Sequence, residues 1–277
     1  MNLKTALALL FLSPAAAPAA QWFPESGELF QKLIADPRAV QTKVSYYRLD
    51  GYDEADVALG KSWGIYRWRA GSWDWQSDVE GMAYGRFRIG GGINRFEVVD
   101  YFANLPVEFR KGNFSGQFTL YHESSHLGDD YIRQNGAPQA ASTSLPGARF
   151  SMEAAKAIFS EDFLGRTLRL YGGDVQILHT IRPLGRQFIE WGGLAKTHVL
   201  WRAGGLAISG YASWDLQSRE YIHWNINSYS VAGIKIVSEK TGHSVRVQGG
   251  YFDGHSPYGQ LLFLREHYAD MAFLFDF

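Results

Sequence analysis

The last eleven residues, HYADMAFLFDF (267–277), alternate in character. Odd positions carry Ala269, Met271, Phe273, Phe275 and Phe277, and even positions carry Tyr268, Asp270, Ala272, Leu274 and Asp276. Successive side chains of a strand point to opposite faces, so this segment offers one face to lipid and the other to a polar interior. The same period of two recurs upstream. Leu206, Ile208, Ala212 and Trp214 stand against Ser209, Tyr211, Ser213 and Asp215. Trp224, Ile226, Ala232, Ile234 and Ile236 stand against Asn225, Asn227 and Lys235, and Val245, Val247 and Tyr251 against Arg246 and Gln248. A helix repeats every 3.6 residues and cannot use such a pattern. In 167–181 the apolar register slips from Leu168 and Leu170 to Val175 and Ile177, which a bulge at Gly172-Gly173 accounts for.

Twelve strands are expected, at 39–49, 57–69, 73–89, 103–110, 114–126, 150–161, 167–181, 187–201, 205–216, 223–237, 243–253 and 266–277. SMEAAKAIF, 151–159, has a composition that also suits a helix. Every second connection is short and rich in glycine or charge: RAGS, RKGN, FLGR, WRAGG and SEKTGH. The others are mostly longer, at 90–102, 127–149 and 254–265, with 182–186 a short exception. A β-sandwich has no reason to sort its loops by length between two ends, whereas a barrel of the outer membrane does so. The 24 tryptophans and tyrosines, many near predicted strand ends, suit interfacial aromatic girdles. The expected fold is therefore all-β: a transmembrane antiparallel β-barrel of about 12 strands. A short N-terminal helix precedes it, Glu25 to Ile34, with Leu29, Phe30, Leu33 and Ile34 on its apolar face and Pro37 ending it.

Residues 1–20 read as a secretory signal peptide. Lys4 supplies a basic start, Thr5 to Leu12 an apolar core too short to span a bilayer, and Ala17-Pro18-Ala19 a small-residue cleavage site. Residues 21–38 form the helical segment and 39–277 the barrel. The expected location is the outer membrane of a Gram-negative bacterium. A net charge of −1 gives no reason to expect a nucleic-acid partner, and without cysteine the exported chain takes no help from disulfides. The final phenylalanine resembles the terminal signal by which barrels are handed to the outer-membrane assembly machinery.

Within the fifth strand, LYHESSHLGDDY (120–131) departs from the apolar pattern. His122, Ser124 and His126 continue the outward face of Phe118 and Leu120, while Glu123 and Ser125 continue the inward one. Polar groups facing lipid are costly unless they pair or sit at headgroup level. A serine hydroxyl needs a base within hydrogen-bond reach, and the base needs an acceptor on its other nitrogen. His122 can serve Ser124, with His126 as the alternative base. Glu153 can supply the acceptor if odd residues of 150–161 face out, although Phe150, Met152 and Ile158 argue for even ones. Asp129 and Asp130 can orient His126 or hold a hard cation such as calcium.

Two resemblances follow from these residues. VALGKSWGIYR, FANLPVEFRKGNFSGQFTLYHESSHLGDDY, RLYGGDVQILH and GGYFDGHSPYGQ, in that order, resemble the bacterial outer-membrane family called domain of unknown function 1207. This implies an outer-membrane location and brings no activity with it. His122-x-Ser124 resembles the active site of outer-membrane phospholipase A and of the lipid A 3-O-deacylase barrels. There the histidine is the base, the serine the nucleophile, and an Asn or Glu from the next strand completes the set. The chain departs from the phospholipase motif in carrying Ser125-His126 where asparagine-glycine is found. The implied function is hydrolysis of a phospholipid or lipopolysaccharide acyl ester at the outer leaflet. The alternative is a non-enzymatic barrel, with a structural, binding or small-solute conduit role, in which HESSHLGDD is a polar rim.

Other segments invite simpler readings. HSPYGQ (255–260) is either a loop folding over the rim near His122 or a rigid surface turn, and Asp100 is expected in an outer loop. GGG at 90–92 precedes no helix and so cradles no phosphate. Arg86, Arg169, Arg246 and Lys235 are expected in the lumen, paired with Asp78, Glu80 and Asp174.

Overall fold

The computed structural model describes residues 20–25, 29–90, 94–135, 150–181 and 185–276, so the expected signal peptide, but for its last residue, lies outside the described residues. Twelve antiparallel strands form the wall: β1 Thr42–Leu49, β2 Tyr52–Ala70, β3 Trp73–Ile89, β4 Arg95–Lys111, β5 Phe114–Leu127, β6 Phe150–Phe163, β7 Leu168–Thr180, β8 Gln187–Lys196, β9 Leu206–Arg219, β10 Ile226–Ser238, β11 Ser244–His255 and β12 Arg265–Asp276. Each pairs with its neighbours in sequence. β12 then pairs with β1, from Asp270 opposite Tyr47 to Phe275 opposite Thr42, and the sheet closes without an edge. Two short strands lie off the ring: Gln21–Trp22 on β2, and Trp201–Ala203 on the start of β9. The turns at one end are tight, and Gly71 and Gly112 take left-handed φ values of 61° and 62° that a hairpin this short requires. The opposite end bears the longer loops, including a short helix α1, Asp129–Asn135, packed on β4.

Parity governs the wall as expected. Along β12, Tyr268, Asp270, Ala272 and Leu274 are buried inside, while Met271 and Phe273 are exposed outside. Leu59, Leu105, Phe118, Leu120, Leu170 and Ile234 continue the exposed apolar belt around the ring.

Inside, the structure departs from expectation. The N-terminal segment forms no helix in its described part, and residues 29–41 thread the lumen instead. Phe30 and Leu33 pack on Ile158 and Tyr171, and Ala35 sits among inward tyrosines. Lumen side chains satisfy the backbone that a helix would have paired with itself. Phe30 N–H donates to Glu108, and the carbonyls of Leu29 and Gln31 accept from Arg110 and Arg169. The apolar periodicity was real, but it reports contact with a surrounding wall.

Four further expectations are corrected. β7 has no bulge at Gly172-Gly173; Val175 and Ile177 face the lumen and pack on Phe188 and Ile177's neighbours Phe150 and Met152. The apolar slip marks an apolar patch of lumen at the loop end. Asp100 lies in strand β4, fully buried, because that strand begins at Arg95. HSPYGQ is no surface turn: residues 256–262 fold over into the barrel mouth beside the His122 strand, with Tyr258 stacked on Tyr84 at 4.6 Å. The lumen cations are inside, but with other partners. Arg86 pairs with Glu266 and Asp56, Arg169 with Asp162, and Arg246 with Asp276. Asp174 binds the amides of Gln176 and Gln187.

Candidate functional site on the outer wall

The stretch HESSH is written on both faces of β5. Inward, Glu123 and Ser125 hold the contents of the lumen. Arg38 forms an ion pair with Glu123 and reaches Asp100 at 3.4 Å, and it also donates to the carbonyl of Pro257. The N–H of Gln260 donates to Ser125 Oγ at 2.9 Å, and that of Gly259 to Asp100 at 2.9 Å. Lumen segment and mouth loop therefore meet on this strand. Burial pushes the pKa of the Arg38 guanidinium down, but the two carboxylates outweigh it and hold the group charged.

Outward, at the loop end of the apolar belt, His122, Ser124 and His126 emerge in register with β4 and β6. His122 lies opposite Glu153, Ser124 opposite Ser151 and Tyr101, and His126 opposite Val99. Odd residues of β6 do face out. Phe150, Met152 and Ile158 are buried because the filled lumen gives them an apolar partner there. Glu153 thus meets His122 directly, Oε1 to Nδ1 at 3.0 Å.

Glu153 has a second histidine that the sequence reading missed. His179 Nδ1 lies 2.7 Å from Glu153 Oε2. β7 bulges here, since Glu153 pairs with His179 and Ala154 with Ile177, leaving Leu178 extra. Without the bulge, the parity of Val175 and Ile177 would carry His179 into the lumen. The extra residue turns it to the outer face, as bulges beside functional positions commonly do. The signal available in sequence was its place at the end of RLYGGDVQILH, two strands from His122.

The other site residues fall as follows. Ser124 Oγ makes no hydrogen bond among the described residues, so the expected contact with His122 is not formed. His126 stands edge-on to Tyr101 at 6.0 Å, with no carboxylate on it among the described residues. Asp129 and Asp130 open helix α1. Asp130 accepts from Phe96 N–H at 3.2 Å and lies 3.7 Å from Arg133, so it serves the loop's own fold, while Asp129 is exposed. Among the described residues, the carboxylates close enough to share one cation are Asp36, Glu190 and Asp215, deep in the lumen. There Lys156 Nζ already lies 2.6 Å from Glu190 and 3.5 Å from Asp36, where a metal would have to sit.

The model of the family described as "Protein of unknown function (DUF1207)" matches residues 14–277. No curated protein matches the sequence significantly. Among solved structures, the outer membrane phospholipase (OMPLA) dimer of Salmonella typhi with bound calcium is similar at a TM-score of 0.51 and 10% identity, over 86% of this chain and 93% of that one. The outer membrane phospholipase A of Escherichia coli gives 0.49 and 10%, over 84% and 92%. The β domain of the Bordetella autotransporter BrkA gives 0.47 and 13%, over 85% and 97%. At such identities the likeness is one of fold, that of an outer-membrane β-barrel.

Proposed function

We propose that this chain, which belongs to the DUF1207 family over nearly its whole length, is an outer-membrane hydrolase of lipid acyl esters. Its loop end would face the cell surface and its tight-turn end the periplasm. The observation that carries this reading is the His122–Glu153 pair at 3.0 Å, turned toward the membrane two residues from Ser124. With Nδ1 held by the carboxylate, Nε2 is the nitrogen left to serve a hydroxyl. Residues i and i+2 of a strand share a face roughly 7 Å apart, within reach of each other through side-chain rotation, and catalytic contacts commonly tighten only with substrate.

In this scheme Ser124 Oγ attacks the ester carbonyl carbon as His122 Nε2 takes its proton. The carbon–oxygen bond breaks, and the departing alcohol oxygen receives that proton. Water then attacks the acyl-serine, losing a proton to His122, which returns it to Ser124 Oγ as the acyl–oxygen bond breaks and the fatty acid leaves. Glu153 orients His122 and offsets its transient charge. A position just above the apolar belt supports this reading, since ester carbonyls of phospholipid or lipopolysaccharide chains lie near that interface. A conduit is disfavoured because residues 29–41 and 256–262 fill the lumen.

The test is fatty-acid release by the full chain, refolded in mixed micelles with phospholipid or lipopolysaccharide. Ser124→Ala should lower the rate about 10³-fold or more while still migrating as a folded barrel. Equal activity in that variant removes Ser124 from the chemistry, and a polar rim without catalysis then fits better.

A further inference from the structure

A cavity lies at the opposite end of the molecule from the outer-wall site, inside the wall near the tight turns, with a volume of about 420 Å³. Five of its lining residues are Lys or Arg, and one, Asp276, is acidic. Four of these cations point inward from separate elements: Lys32 from the lumen segment, Lys196 from β8, Lys235 from β10 and Arg246 from β11; the fifth, Lys61 on β2, follows the outward parity of Leu59 and Trp63. Asp276 is already engaged, with Arg246 at 3.1 Å, the Ser244 hydroxyl at 2.8 Å and Lys235 at 4.0 Å. Lys32 and Lys196 have no carboxylate partner among the described residues.

Three other lumen cations each meet two carboxylates. Arg38 faces Glu123 and Asp100, Arg86 faces Glu266 and Asp56, and Lys156 faces Glu190 and Asp36. In the cavity like charges converge on an open volume bounded by low-dielectric walls, which concentrates a positive field and lowers stability until an anion enters. Burial also holds the Lys32 ammonium below its ordinary pKa, by more than the nearby charges of Glu80 and Asp276 restore.

We infer that this vestibule binds a small soluble anion carrying phosphate. Several cations, two of them the cross-strand neighbours Lys235 and Arg246, suit the many oxygens of a phosphate better than the two of a carboxylate. The volume is within the ~300–1,000 Å³ of small-molecule sites, and Ile34, Leu194 and Val237 offer apolar contact to an organic body. Access is from solvent and not from lipid, since Lys235 is 42% exposed while pointing inward. This site is independent of the outer-wall chemistry.

The test uses the full chain refolded in a maltoside detergent, which carries no phosphate, titrated with sodium pyrophosphate by calorimetry. One saturable site is expected. Lys196→Gln with Lys235→Gln should weaken it at least about tenfold, while Lys235→Arg retains it. Without anion, the double variant should unfold at the same temperature as the parent or higher, because repulsion is relieved. Short-chain phosphatidic acid below its micellar concentration separates sources: tighter binding than pyrophosphate would overturn the soluble-anion assignment. No saturable heat, unchanged affinity in the double variant, or equal thermal stabilisation by chloride at matched ionic strength would each overturn the site.

Discussion

Glu153 is shared by two imidazoles, and the sharing is unequal in consequence. His122 is two residues from the hydroxyl it would activate, whereas His179, 69% exposed, touches nothing else that reacts. Glu153→Gln keeps the shape and can still accept one imidazole N–H, but it cannot offset the charge that forms on His122. It should therefore cut kcat by roughly 10²–10⁴ with little change in KM, as expected of a group that acts through the base. His179→Ala leaves the His122 contact intact and should change kcat by less than about tenfold. Steady-state kinetics on both variants separates the roles, and a larger loss in His179→Ala would make His179 the base. Lys32 gives a pH test of another kind. Its folded pKa is depressed below the ordinary 10.5, chiefly by burial. The unfolded chain thus binds more protons between the depressed value and 10.5, and stability must rise with pH across that window. The cost of burying the ammonium is present in full below the window and fades through it. Unfolding midpoints measured across it should climb in the parent and stay flatter in Lys32→Gln.

At the scale of elements, the Arg38–Glu123–Asp100 cluster ties lumen segment, wall and mouth loop together. Arg38→Met would strand two buried carboxylates beside each other, and losing one partner of a buried pair costs about 3–5 kcal/mol. Urea unfolding should show a loss of that size, mostly restored when Glu123→Gln and Asp100→Asn are added. An unchanged midpoint would mean that the segment is held by its apolar contacts alone. The contrast with the strands explains what the sequence could disclose. Each wall strand solves the same problem, lipid outside and polar interior inside, so its solution is local and readable as parity. His122, Ser124 and, once the face of β6 is known, Glu153 follow from that parity. The segment 29–41 answers to partners scattered over β4, β6, β7 and β9, none adjacent in sequence. Its Leu29, Phe30, Leu33 spacing consequently imitates a helix. His179 was hidden for a similar reason: one extra residue, Leu178, reverses the parity on which every other assignment rests.

For the molecule as a whole, the wall and its contents have separable tasks. Closure is complete in β1–β12 alone, since β12 pairs with β1 from residue 42 onward and needs no help from what precedes it. A chain lacking residues 21–38 should therefore still assemble, and its barrel should resist detergent denaturation until heated. Its lumen would lose Phe30, Leu33, Ala35 and Asp36, all buried in the parent, and a water-filled path should open along the wall. In planar bilayers the parent should carry no steady current, while the shortened chain conducts. The mouth loop offers the competing seal, because Tyr258, Leu261 and Leu262 are themselves buried across the loop end. Yet that loop is braced by Arg38, through Pro257 and through Asp100, which also receives the Gly259 N–H. Removing the segment removes the brace, so loop and lumen should loosen together. A shortened chain that stays silent in the bilayer would show that residues 256–262 close the barrel unaided.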